Sequence, residues 1–219
     1  MTSYTSLAST IAVIATMGSA SAETITFGGA QPGPLPKEFV SALTGNGSAG
    51  RWQVVEDASA EGNRALAQLC EDKTDDRFPL AIYMPTLPGD LEAHVRFKVV
   101  SGSVDQAGGL ALRLQSAQNY YLARANALED NVRFYRVKGG RREELAGANV
   151  KVTANEWHTL SLRAQANRFV VSFDGKALID ARDETFSSPG KVALWTKADS
   201  VTRFDRIEIS PLSESGTTP

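Results

Sequence analysis

The chain has very few of the residues that build disulfides and zinc sites. Its 219 residues include one cysteine, Cys70, and two histidines, so an internal disulfide is impossible and a zinc site is not expected. Acidic and basic residues nearly balance, with 25 Asp and Glu against 23 Lys and Arg, which argues against the basic stripe of nucleic-acid-binding proteins. No apolar run after residue 22 is long enough to cross a membrane. Neither nucleic acid nor a membrane span is therefore expected.

The first 22 residues carry no charged side chain, and every charged residue of the chain lies after them. Residues 7–18 form a short apolar run, and Ala20-Ser21-Ala22 supplies an A-x-A cleavage pattern before Glu23. A run this short cannot span a bilayer, and its position predicts a signal peptide that is cleaved near Ala22. We therefore expect the mature protein in the periplasm or outside the cell. The lone cysteine is interpreted as a small buried residue.

Apolar and polar residues alternate with a period of two over most of the mature chain. In Asp90–Val100 the apolar residues share one face and the charged residues the other, as in a half-buried antiparallel strand. Arg168–Asp174 alternates in the same way and ends at Asp174-Gly175, a strong hairpin signal. Turn residues recur at spacings of about 8–12 residues, which predicts an all-β sandwich or jelly roll. Ala65–Cys70 is ambiguous, because its apolar spacing suits a short helix or a strand.

The chain divides into four segments. Residues 1–22 are the signal peptide, 23–49 an N-terminal strand and a Gly/Pro-rich connector, 50–210 the jelly-roll domain, and 211–219 a flexible polar tail. Residues 45–50 match G-x-G-x-x-G, but a strand-like sequence follows them where a dinucleotide site needs a helix. They are therefore interpreted as a glycine loop.

The most unusual stretch is Asn119–Asn131, which combines aromatic, guanidinium, amide and carboxylate groups. Along an extended strand Tyr121, Ala123 and Ala125 make the natural core face, and the opposite face presents a ring, a guanidinium and an amide. Such a face suits a sugar, because rings stack on its C–H groups and polar side chains bond its hydroxyls. With neighbouring segments, the candidate ligand-binding residues are Arg113, Tyr120, Arg124, Asn126, Arg133, Tyr135 and Lys197. The alternative is a solvated strand face with cross-strand pairs.

Candidates for catalysis and for a metal site are fewer. If the protein is an enzyme, Glu129 or Asp105 would be the acid/base, and Arg113 and Arg124 would stabilise an oxyanion or keto group. The E-x-D-x-E signature of jelly-roll glucanases is absent from the sequence. No cofactor is expected other than a structural calcium ion near Asp205, which scattered Asp side chains could hold without leaving a linear motif.

Four segments in order resemble bacterial secreted laminin-G-like, concanavalin A-like jelly-roll domains: NYYLARANALEDNVRFYRV, NEWHTLSL, VSFDGKALID and PGKVALWTKADSVTRFD. Within that superfamily, residues 50–210 are most similar to the 3-keto-disaccharide hydrolase domain, also described as a 3-keto-glucoside lyase/hydratase domain. The resemblance implies two curved antiparallel sheets with a concave surface that faces sugar. The acidic E-x-Q-type strand and the longer loops usual in hydrolase members are absent here.

The resemblance extends to the segments NRALAQ, DRFPLAIY and SVDQAGGLALRLQ. It implies that a set of polar residues lies beside the NYYLARAN strand. That set is Gln68, Arg77, Asp105, Gln106 and Arg113.

Three functions are compatible with these patterns. The first is an exported carbohydrate-binding jelly-roll domain that uses the polar-aromatic concave sheet face. The second is a hydrolase or lyase of the same fold that acts on glycosides or 3-keto-glycosides. The third is a structural or adhesive module that binds another protein through this face, which a large exposed apolar patch would favour. The sequence favours the first function and leaves the other two open.

Overall fold

The computed structural model describes residues 21–212, which form sixteen β-strands and one short 3-10 turn at Glu61–Asn63. Most of the predicted signal peptide and most of the polar tail lie outside the described residues. No helix within the described part is long and apolar enough to cross a membrane. The strands are β1 (Glu23–Thr26), β2 (Gly33–Pro34), β3 (Phe39–Gly45), β4 (Trp52–Glu56), β5 (Arg64–Gln68), β6 (Arg77–Tyr83), β7 (Leu91–Ser101), β8 (Ala107–Ser116), β9 (Asn119–Asn126), β10 (Asn131–Lys138), β11 (Arg141–Asn149), β12 (His158–Gln165), β13 (Arg168–Phe173), β14 (Lys176–Arg182), β15 (Lys191–Thr196) and β16 (Val201–Pro211).

The strands pair into two antiparallel sheets. The nine-stranded sheet has the order β14-β13-β12-β7-β16-β5-β4-β2, and β1 also pairs with β16. The seven-stranded sheet has the order β11-β10-β9-β8-β15-β6-β3. Both sheets contribute side chains to one hydrophobic core, including Leu66 and Phe97 from the first sheet and Leu110 and Tyr121 from the second. The predicted jelly-roll sandwich of two antiparallel sheets is thereby confirmed.

Local sequence explains most of these strands. The alternation in β7 buries Leu91, Ala93 and Val95 in the core and leaves the residues between them partly exposed. Asp174 and Gly175 have φ of 47° and 78°, as a tight two-residue hairpin turn between β13 and β14 requires. In the ambiguous segment 65–70, residues 65–68 belong to strand β5, which pairs with β4 on one side and with β16 on the other. Leu69 and Cys70 follow the strand. Cys70, expected to be buried, is only half-buried.

Residues 23–49 form part of the sandwich. They supply β1, β2 and β3, and β3 pairs with β6 along its whole length. Phe27 and Phe39 from this segment are buried in the core. The Gly/Pro-rich stretch has little strand propensity of its own, so tertiary pairing determines its path.

The outer face of the seven-stranded sheet, which points away from the core, carries a second hydrophobic cluster. Its members come from β6, β8, β9, β10 and β15, and they include Leu80, Leu122 and Trp195. Leu122 and Trp195 have 0% exposure, although residues 21–212 form no third sheet or helical layer over this face. Side chains of neighbouring strands therefore cover one another on this face. We refer to this buried apolar layer as the apolar floor of the outer face.

Candidate functional site

Strand β9 places its polar residues on the outer face. Tyr121, Ala123 and Ala125 lie in the core between the sheets, as the alternation predicted. Arg124 and Asn126 point the other way, and both are buried by neighbouring side chains on the outer face. The period-two geometry of a strand is sufficient to explain this division.

Arg124 is the centre of one polar network. Its Nη2 donates to Oε2 of Glu129 (2.8 Å) and to the hydroxyl of Tyr135 (3.2 Å), and its Nη1 donates to Oδ1 of Asn131. Asn131 in turn donates to the same Glu129 oxygen (3.0 Å). The Arg124 side chain is 5% exposed, whereas that of Glu129 is 44% exposed. The network thus holds a buried guanidinium beneath a carboxylate that faces solvent.

The environment of Glu129 favours its charged form. Burial by itself would raise the pKa of Glu129, but the hydrogen bond from Asn131 and the charge of Arg124 outweigh it and hold the pKa below its usual value. Nε of Arg124 is buried and has no hydrogen-bond partner among the described residues.

Lys197 is the centre of a second network beside the first. Its Nζ lies 2.7 Å from Oδ1 of Asp75 and 2.7 Å from Oδ2 of Asp105. Asn126 donates from Nδ2 to Oδ1 of Asp105 (2.7 Å). Burial raises the pKa of Asp105, against the opposing effects of Lys197 and of the Arg124 charge. Because the charges of Arg124 and Glu129 both act on Asp105, the two networks form one electrostatically coupled array.

Most of the residues predicted from sequence lie together in this polar array. It contains Asp105, Arg124, Asn126, Glu129, Tyr135 and Lys197. Arg133 shares the outer face but lies at its edge, where Nε is 3.3 Å from Oε1 of Glu144. Gln106 lies close to the array and donates to the backbone oxygen of Gly102.

Tyr120 is on the outer face but is closed to a ligand. Its ring belongs to the second hydrophobic cluster with 0% exposure, and its hydroxyl lies 2.9 Å from Oγ1 of Thr44. Burial raises its pKa to about 12. We expected this ring to bind sugar, but in the structure it forms part of the covered floor.

Arg113 does not reach the polar array. The register of β8 shifts between Leu112 and Ser116, and Arg113 adopts a φ of 48° at this irregularity. The shift puts Leu114 in the outer-face cluster and turns Arg113 toward the core, where its guanidinium lies over Phe169. Simple alternation along the strand placed Arg113 on the outer face, and a β-bulge reverses that assignment.

Three of the polar residues that the family resemblance singled out, Arg113, Gln68 and Arg77, have structural roles. Arg113 donates to the carbonyl oxygens of Gly89, Phe186 and Ala166. Gln68 and Arg77 are fully buried and also bond backbone carbonyls. These three side chains hold loops together at the ends of the sandwich.

The surroundings of Asp205 do not fit a calcium ion. Oδ2 of Asp205 accepts hydrogen bonds from Nη1 of Arg96 and from the backbone N–H of Glu61 (2.8 Å). A guanidinium therefore occupies the place where a cation would bind, and only the other oxygen, Oδ1, lacks a partner among residues 21–212. Calcium needs six to eight oxygen ligands, and no group of three or more His, Cys, Asp or Glu in the described part is arranged for a metal.

Sequence analysis did not identify two residues of the outer face, Asp75 and Arg142. Asp75 lies in a loop, and no local pattern connects it with Lys197. Arg142 could have been found, because the Gly139-Gly140 turn pairs it with Val137 and puts it on the same face as Tyr135. In the structure the Arg142 guanidinium lies over the rings of the apolar floor.

Residues 41–210 match the profile of a family described as the 3-keto-alpha-glucoside-1,2-lyase-like domain. The chain belongs to this family. The match runs from β3 to β16 and includes every residue of the polar array. The resemblance to 3-keto-disaccharide hydrolase domains is therefore confirmed.

This 3-keto-alpha-glucoside-1,2-lyase-like domain is also similar to proteins with other names. Levanase from Bacillus subtilis (strain 168) is 31% identical over 90 residues, which are 41% of this chain and 13% of levanase. The carbohydrate-binding module CBM66 from Bacillus subtilis has a TM-score of 0.63 at 21% identity and covers 81% of this chain and 99% of its own. A Bacteroides ovatus mixed-linkage-glucan GH16 protein, solved with its G4G4G3G product, has a TM-score of 0.60 at 11% identity, over 85% and 99% of the two chains. At these identities the two structures show a shared fold.

Proposed function

We propose that this protein is an exported carbohydrate-binding domain that holds its ligand on the outer face of the seven-stranded sheet. The observation that carries the proposal is the polar array above an apolar floor, in which donors and acceptors lie together on the outer face. A sugar hydroxyl both donates and accepts hydrogen bonds, so it needs partners of both kinds. Arg124, Asn126 and Lys197 donate, and Asp105 and Glu129 accept.

The array is preorganised. Its side chains are fixed by contacts with one another, and Arg124 and Asp105 are almost fully buried, so little conformational freedom is left to lose on binding. Two exposed apolar residues flank it: Val104 precedes Asp105, and the backbone N–H of Leu128 donates to Asn126. They offer apolar contacts to the C–H face of a sugar ring.

The comparisons support the same proposal, because CBM66 is named as a carbohydrate-binding module and a 90-residue segment of the chain is 31% identical to a protein named levanase. The leader over residues 1–22, with its A-x-A pattern, supports export to a compartment where polysaccharides are found.

Titration calorimetry against a panel of neutral and charged oligosaccharides tests the proposal. The wild-type protein is expected to bind at least one of them, and Arg124→Ala is expected to weaken that binding about 10- to 100-fold, since charge-assisted hydrogen bonds contribute roughly 1.5–3 kcal/mol. Arg163→Ala is the matched control, because Arg163 lies on the nine-stranded sheet and pairs with Glu92 there. The absence of binding in the whole panel, or equal affinity of wild type and Arg124→Ala, would contradict the proposal.

A second function is cleavage of glycosides or 3-keto-glycosides by hydrolysis or elimination. It is favoured by the family description and by one feature of the array, the raised pKa of the buried Asp105 beside the lowered pKa of Glu129. Two carboxyl groups with pKa values moved apart suit an acid and a base. Turnover of a 3-keto-glycoside that is lost in both Asp105→Asn and Glu129→Gln would establish this function, and binding without turnover would exclude it for that substrate.

A protein-interaction module has less support. The exposed large apolar residues of the described chain are Val40, Met84, Val104 and Leu128. The first two lie near the start of β3 and the end of β6, and the other two flank the polar array. They form no single large patch of the kind that marks a protein interface.

A further inference from the structure

Arg142 differs from the other cations of the outer face. Its guanidinium carbon lies 4.6 Å from the ring centre of Tyr135, 4.8 Å from that of Phe78 and 5.8 Å from that of Trp195. Arg124 and Lys197 each contact a carboxylate, but Arg142 forms no salt bridge and no side-chain hydrogen bond with residues 21–212. Its Nη1 is buried without any partner there. The Arg142 guanidinium thus lies on the outer face with no acceptor among the described residues.

The cavity beside Arg142 is positively charged. It has a volume of about 280 Å³ and is lined by Lys138, Arg141, Arg142 and Glu143. Glu143 is already paired with Arg136, whose Nη2 lies 2.6 Å from Oε2. Three cations therefore line the cavity, and its one carboxylate, Glu143, is already paired with Arg136. Cavities lined by charge of one sign attract ligands of the opposite sign.

Arg142 and the polar array are neighbours on the outer face. The Tyr135 ring, 4.6 Å from the Arg142 guanidinium carbon, carries the hydroxyl that accepts a hydrogen bond from Arg124 (3.2 Å). The hydrogen bond and charge of Lys197, with a smaller contribution from the charge of Arg142, hold the pKa of Asp75 below its usual value. One ligand can therefore contact Arg142 with one substituent and the array with another.

We propose that Arg142 determines specificity for an acidic saccharide, whose anionic substituent it binds while the array binds the hydroxyls. The inference rests on the proposed function and adds the class of ligand. A neutral hydroxyl could also accept from the guanidinium, but an anionic oxygen makes the stronger, charge-assisted hydrogen bond, and Nε and Nη2 of the planar guanidinium offer two parallel donors to a carboxylate or a sulfate ester. Lys138 and Arg141, which also line the cavity, add positive charge near the Arg142 guanidinium.

The test compares neutral and charged probes on the same backbone. The mature full-length protein is titrated with cello-oligosaccharide and its C6-oxidised, uronate-bearing form, and with dextran and dextran sulfate, at low and at physiological salt. At least one charged probe is expected to bind about 10-fold or more tightly than its neutral counterpart, and added salt should reduce that difference. A preference for the uronate or for the sulfate probe identifies which anion is recognised.

Three variants separate specificity from fold and from general binding. Arg142→Met keeps the long apolar stem over the rings and removes the charge, so it should abolish the preference for the charged probe while thermal melting shows an intact fold. Arg124→Ala should weaken binding of charged and neutral probes alike. Arg163→Met, on the opposite sheet, should change neither.

Equal affinity for charged and neutral probes, or a preference that survives in Arg142→Met, would overturn the inference and leave carbohydrate binding intact. Failure of both charged probes to bind would also overturn it. In that case the neutral members of the broader panel test the proposed function separately.

Discussion

At the scale of the residue, buried charge is used to fix loops as well as to build the site. Asp199 shows this most clearly, because its carboxylate accepts hydrogen bonds from the backbone N–H groups of Ser103 (2.7 Å), Val104 (3.0 Å) and Asp105 (3.0 Å). The Ser103 hydroxyl donates to it as well (2.8 Å). These hydrogen bonds fix the backbone conformation of the loop that carries Asp105. The lysine two residues before Asp199, Lys197, contacts the Asp105 side chain.

Asp199→Asn is expected to destabilise the protein by about 1–3 kcal/mol at pH 7, because the amide cannot satisfy the same set of donors. Burial would raise the pKa of Asp199, but the backbone hydrogen bonds outweigh it and lower the pKa. A lowered carboxyl pKa contributes stability above the unfolded value of about 3.9, and that contribution is lost as the pH falls through the folded pKa. Thermal melts from pH 7 to pH 3 should therefore show the gap between wild type and variant shrinking below about pH 4.

Asp180→Asn is the control for this experiment. Asp180 is exposed and pairs with Arg168 on the surface, so its substitution should hardly change the melting temperature. A pH-independent gap for Asp199→Asn, or an equal effect of the two variants, would show that Asp199 does not act through its charge.

At the scale of the element, the alternation of side chains along a strand predicts which residues lie on the outer face only where the register with the neighbouring strands is regular. In β9 it places Arg124 and Asn126 correctly, because the register with β8 and β10 is unbroken over those residues. In β8 the bulge turns Arg113 to the opposite side. A bulge depends on pairing with sequence-distant β15 as well as with β9, and no local pattern in the sequence reports it.

The hairpin between β13 and β14 depends on the backbone of Gly175. With φ of 78°, Gly175→Ala is expected to destabilise the protein by about 1–2 kcal/mol, or roughly 2–8 °C in melting temperature, because L-residues disfavour the left-handed region. An added Cβ would meet no atom within 4 Å, so the effect is purely conformational.

Gly29→Ala is the matched control for the turn. A Cβ there also meets no atom within 4 Å, and its φ is not positive, so the variant should be neutral or slightly stabilised. Equal melting temperatures for the two variants would mean that the turn tolerates a side chain.

At the scale of the whole molecule, the sandwich is larger than the segment from residue 50 that the sequence delimited. The strands β1, β2 and β3 come before it, and their segment buries Phe27 and Phe39 in the core. β3 also covers the edge of β6, and its Thr44 contacts the hydroxyl of Tyr120.

A chain that begins at residue 50 is therefore expected not to fold cooperatively. It loses the two buried phenylalanines, each equivalent to about 3–5 kcal/mol in core truncations, against a total stability of about 5–15 kcal/mol for a typical domain. Thermal melting should show no sharp transition, and gel filtration should show aggregated material. A chain that begins at residue 23 keeps every strand and should melt as one unit. A sharp melt of the shorter chain within a few degrees of the longer one would restore residue 50 as the domain boundary.

The sequence by itself determined the all-β class, most strands and the division of β9 into a core face and a polar face, because these follow from a local period of two. It also determined most members of the polar array. Only the tertiary structure decided that Lys197 meets Asp75 and Asp105, that Tyr120 is covered, that Arg113 turns inward and that Arg142 reaches over the aromatic floor. Those outcomes depend on which distant strands become neighbours and on the reach of long side chains, neither of which local alternation encodes.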